Sequence, residues 1–83
     1  MNNREVISFD MAKHLVGKYD LYHATKCYTA GVGFTGWYLD LTFNMDNGTG
    51  EVFTNTAVHY RLHCNSFSDC DVKRNLLWRV YAG

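Results

Sequence analysis

Proline is absent from the 83 residues of this chain, and cysteine occurs only as Cys27, Cys64 and Cys70. With no proline, the breaks between elements fall to seven glycines, which cluster at Gly31/Gly33/Gly36 and at Gly48/Gly50. Three thiols without regular spacing build no disulfide framework and read as reduced cysteines of a cytosolic protein. No apolar run nears the roughly 18–20 residues that cross a bilayer. The start, Met1-Asn2-Asn3-Arg4-Glu5, lacks the pattern of a signal peptide, so a cytoplasmic location with no membrane partner is expected.

A surplus of charge is missing as well. Eight Lys and Arg stand against eight Asp and Glu. The signs also balance within residues 1–40 and within residues 41–83. Non-specific nucleic-acid binding draws on cations that displace phosphate counterions, and this chain has none to spare. A polyanion that imitates DNA is equally unsupported.

What is present is apolar. Hydrophobic residues make up 47% and charged residues 19%, which places the chain among folded proteins. Its length suits a single domain spanning residues 1–83. Trp37, Leu39, Leu41, Phe43 and Met45 alternate with Tyr38, Asp40, Thr42 and Asn44, the period of a strand with one dry and one wet face. Asn47-Gly48 follows, and Asn-Gly favours the positive φ angles of a type I′ hairpin turn. Val52, Thr54, Thr56, Val58, Tyr60, Leu62 and Cys64 then resume the alternation, with a break expected near Thr54-Asn55-Thr56. The shared dry face predicts a core of Trp37, Leu39, Leu41, Phe43, Val58, Tyr60 and Leu62.

A hairpin needs cover on its apolar face. Ser8 is placed to cap a helix opening at Phe9, with Asp10 in its first turn; an earlier start, at Asn3, is the alternative. Phe9, Ala12, Leu15 and Val16 give the helix a stripe, and Gly17 stops it. Residues 19–29 fit either a helix or a strand, and the Tyr, Thr and Cys content favours strand. Residues 69–81 are equally divided. Ser68 with Asp71 resembles a capping box and Val72, Leu76 and Val80 make a helical stripe, whereas Leu76, Trp78 and Val80 alternate. A final strand from Asn75 is the reading adopted. The expected fold is therefore α+β, a short N-terminal helix packed on a three- to four-stranded antiparallel β-meander.

No chemical motif stands out. His59, His63, Cys64 and Cys70 are the densest group of metal donors, but a strand separates His59 from His63 by roughly 13 Å and turns Cys64 away from His63. No metal or cofactor is expected. Cys–His catalysis lacks a defined pair, paired carboxylates lack a pocket, and Gly31-Val32-Gly33 lacks the following helix with lysine that a phosphate cradle needs. No catalytic residue is assigned, and the chain is not expected to be an enzyme.

Aromatic residues are the one excess, at 16%. Tyr22 and Tyr38 are expected partly exposed, and exposed Tyr, Trp and Arg carry protein–protein contacts. The wet face of the hairpin, with Tyr38, Asp40, His59, Arg61 and His63, is thus the candidate binding surface. In size and lack of chemistry the chain resembles the accessory inhibitors of phages and mobile elements, anti-CRISPR proteins included. That likeness implies a protein partner inside a bacterial host cell. A nucleic-acid module using the same hairpin face is the alternative, and a small Cys/His enzyme or metal protein comes third.

Overall fold

The computed structural model describes residues 4–31, 33–46 and 52–82. Strands β1 (Glu5–Ile7), β2 (Asp20–Gly31), β3 (Phe34–Asp46) and β4 (Val52–Cys64) form one sheet, accompanied by helices α1 (Phe9–Val16) and α2 (Phe67–Ala82). The sheet order is β1-β4-β3-β2. β2, β3 and β4 are an antiparallel meander, while β1 lies parallel to β4, with Glu5 opposite Tyr60 and Ile7 opposite Leu62. The fold is α+β, with an N-terminal helix on a largely antiparallel sheet.

Two elements differ from the sequence reading. β1 occupies residues that an Asn3 helix start would have used. Three residues are too few to display a period, and their pairing partner lies more than fifty positions away. The second difference is α2, which replaces the final strand expected from Asn75. Its start is fixed locally: the Ser66 hydroxyl accepts from the Asp69 N–H at 3.0 Å, and the Asp69 carboxylate accepts from the Asn65 N–H at 2.9 Å. This pairing satisfies two N–H groups at the helix entry, two residues upstream of the cap proposed at Ser68. Ion pairs between Asp69 and Lys73 and between Asp71 and Arg74, at helical spacings, add to the helix. Cys70 and Leu77, two turns apart, are its buried line.

The other elements match the sequence. Ser8 caps α1, its hydroxyl accepting from the Met11 N–H at 3.1 Å, and Ala12 and Val16 are buried. Residues 20–31 form strand β2, a single long strand interrupted by one irregularity between Leu21 and His23. In the hairpin, Leu39 faces Leu62, Leu41 faces Tyr60 and Phe43 faces Val58. The register slips between Asn44 and Asp46, where β4 advances from Ala57 to Val52 while β3 advances two residues. That slip stands where a break was expected. The Asn47-Gly48 turn and the side chains of Met45, Val52, Thr54 and Thr56 lie outside the described residues.

Leu39, Leu41, Phe43 and Leu62 are buried together with Ala12, Val16, Leu21, Cys64, Cys70 and Leu77. Trp37, Val58 and Tyr60, also predicted for the core, are half-buried and packed against it. Both helices therefore lie on one face of the sheet.

Candidate functional site

The opposite face of the sheet is where the predicted binding residues converge. The register aligns them in cross-strand rows: His23, Thr42 and His59 in one, Thr25, Asp40 and Arg61 in the next, Cys27, Tyr38 and His63 in the third. Among the described residues no helix packs on this face. All five candidates, Tyr38, Asp40, His59, Arg61 and His63, share it.

Arg61 and Asp40 form the centre of the face. Nε and Nη2 of Arg61 donate to the two carboxylate oxygens at 2.8 and 3.0 Å, a bidentate pair. Arg4, from the segment entering β1, adds its Nε at 3.4 Å to the same carboxylate and donates Nη1 to the Leu41 carbonyl at 2.9 Å. Burial pushes the Asp40 carboxyl up, but the Arg61 hydrogen bonds and charge, joined by the Arg4 charge, hold it below the ordinary carboxylate value. Arg61 in turn is raised above the ordinary guanidinium value, chiefly by its hydrogen bond to Asp40. Arg4 was not singled out by sequence reasoning, since it lies before the first element and reaches Asp40 only through the parallel β1–β4 pairing.

Tyr38 departs from expectation. It is only 5% exposed, although it stands on the wet face. The Arg61 guanidinium lies 5.2 Å from its ring centroid, and the His63 ring meets it edge-on at 5.1 Å. Long polar neighbours thus cover the ring, as arginine stems and aromatic edges do on a pleated surface. Tyr22, the other tyrosine expected at the surface, is 66% exposed.

The histidines form the outer layer. His59 and His63 are exposed, as is His23 on β2, which sequence reasoning did not include. His59 Nδ1 lies 3.2 Å from the Thr42 hydroxyl. His63 stands over Gly36: a Cβ there would lie 3.5 Å from Nε2, an ordinary contact, so what favours glycine at this position is its φ of +135°.

The four residues considered as metal donors are divided by the sheet. His59 and His63 are on the open face, while Cys64 of β4 and Cys70 of α2 are buried in the core on the other face. Among the described residues no group of three or more His, Cys, Asp or Glu is placed to hold a metal ion. Burial, followed by the hydrogen bond to Cys70, pushes the Cys64 thiol up to about 12. Cys27, half-buried on the open face 3.9 Å from Arg61 Nη2, is also raised, first by burial and then by the Asp40 charge. Neither thiol is tuned towards the thiolate that nucleophilic chemistry needs.

α2 exposes Val72, Leu76 and Val80 at four-residue spacing. This is the stripe that pointed to a helix in the sequence; it faces outward rather than into the core. Among the described residues no helix is long and apolar enough to cross a membrane. No family model matches the chain, nor does any curated protein or solved structure.

Proposed function

We propose that this protein acts by binding another protein through the open face of its sheet, without catalysis. Its size and lack of a catalytic group fit an inhibitor of phage or mobile-element type, of the anti-CRISPR kind, working in the cytoplasm of a bacterial host. The observation that supports this reading is the two-sided use of the sheet. One face is consumed by the core, while the other carries an ordered arrangement of Tyr38, Asp40 and Arg61 rimmed by exposed His23, His59 and His63. Side chains already held in one geometry lose little entropy on binding, and a half-buried arginine held over a buried tyrosine, with a polar rim around it, suits the centre of a protein contact. A nucleic acid is less well suited, because the two arginines of the face both serve Asp40.

The test is affinity capture from host lysate on the wild-type protein and on a His59→Glu/His63→Glu variant. Both substitutions are at exposed positions, so folding should be preserved, as circular dichroism would verify. A protein retained by the wild type and lost from the folded variant supports the proposal. Retention of nucleic acid instead would establish the alternative, and equal retention by the variant would remove the contact from this face.

A further inference from the structure

The two edges of the sheet are unlike. β1 is three residues long and its entry is tied down by Arg4, one of the ways a sheet avoids edge-to-edge pairing. β2, at the other edge, is twelve residues long and pairs with β3 alone. Past the irregularity at Leu21/His23, its pairing from His23↔Thr42 to Gly31↔Phe34 is uninterrupted. These nine residues present a straight edge of about 30 Å whose outer backbone groups have no partner strand among the described residues. Two of the usual guards are missing from this stretch. The chain has no proline, and the one lysine of this stretch, Lys26, is drawn toward the helices, 2.7 Å from Asp71 and 3.9 Å from the Phe67 ring centroid.

We propose that two copies of the chain join through these edges, β2 against β2, antiparallel about a twofold axis at Cys27. A second copy is the occupant this edge fits, because the regular stretch is self-complementary about its midpoint and carries no charge that opposes it. Net charge is zero, and the Lys26 charge is already matched by Asp71, so two identical edges meet without repulsion. The register follows from the length of the regular stretch, because Cys27 is its midpoint. Only pairing about Cys27 lets all nine residues take part. It sets Thr25 opposite Thr29, a favourable cross-strand pair, and Lys26 opposite Tyr28 rather than opposite another lysine. Tyr28, 58% exposed at present, gains a neighbour. The two Cys27 residues then face each other with Cα atoms about 4.5–5.5 Å apart. The open face would run unbroken across both copies, but the pairing stands independently of what that face binds.

Sedimentation of the full chain across the micromolar range should show a mass approaching twice 9.6 kDa. A short bismaleimide should link Cys27 to Cys27, identified by peptide mass spectrometry. The Thr25→Lys/Thr29→Lys variant places like charges opposite each other twice and should weaken the dimer by about tenfold or more. Thr25→Lys/Thr29→Glu places opposite charges at the same two points and should restore it, which a change in folding alone would not do. A monomer at every concentration overturns the proposal. So does a dimer that tolerates two lysines at these positions, or one whose only cross-links lie elsewhere.

Discussion

Arg61 holds Asp40 through two nitrogens and covers Tyr38 with its guanidinium, so one side chain maintains both the charge and the aromatic packing of the open face. Removing it leaves a half-buried carboxylate with Arg4 as its remaining cation. Arg61→Ala should therefore cost roughly 1.5–3 kcal/mol, the range for hydrogen bonds to charged groups, even though the position lies on the solvent side of the sheet. Tyr38→Ala should cost about 3 kcal/mol or somewhat more, as for a buried aromatic. Leu41→Ala, in the centre of the core, should cost about 2–5 kcal/mol. Urea unfolding monitored by fluorescence would measure all three. A loss below about 0.5 kcal/mol for Tyr38→Ala would mean that the ring is not covered as described. The alternation in the sequence revealed which face Tyr38 takes but not its burial. Facing solvent is a property of the backbone, whereas exposure depends on whether Arg61 and His63, distant in sequence, fold over the ring.

At the scale of elements, β3 and β4 were readable because every second residue from Trp37 to Phe43 is large and apolar, a pattern with one structural solution. β2 was less distinct because its helix-side positions include Ala24 and Lys26, and the lysine is accommodated there by Asp71 and the Phe67 ring of α2. α2 was misread for a related reason. Its apolar residues crowd toward the C-terminus, where Leu76, Trp78 and Val80 alternate, while only Cys70 and Leu77 form its buried line. What decides in favour of helix is the entry at Asn65–Asp69, where side chains satisfy the first N–H groups. Ser66→Ala should thus destabilise the protein by about 1 kcal/mol, with the loss of helical signal concentrated in α2. Amide exchange resolved by residue would check this: faster exchange at Asp69 and Cys70 with β3 unchanged is the expected outcome, and uniform acceleration would assign the cap no local role.

For the whole molecule, two carboxylates link separate parts of the fold and a third fixes a helix end. Asp40 joins the segment entering β1 to β3 and β4 through Arg4 and Arg61. Asp71 joins α2 to β2 through Lys26, and Asp69 holds the start of α2 through Lys73 and the Asn65 N–H. All three are lowered from the ordinary aspartate value. At Asp40 the two arginines outweigh burial; at Asp69 and Asp71 the leading cause is the lysine hydrogen bond. A carboxyl whose folded pKa lies below its unfolded one stabilises the fold fully above the unfolded value, near 3.9, and loses that contribution as pH falls through the folded value. Stability should accordingly hold down to about pH 5 and decline as the pH is lowered further. The contributions differ in kind. Asp71 and Asp69 act near the surface, where added salt screens them, while the bidentate, half-buried Asp40–Arg61 pair is screened less. Asp40→Asn should therefore flatten the acid limb of the stability curve even in high salt, whereas Asp71→Asn should flatten it only in low salt. Chemical unfolding at several pH values and two ionic strengths would separate the two. Equal acid sensitivity of wild type and Asp40→Asn would remove Asp40 from the set of groups that hold the sheet together.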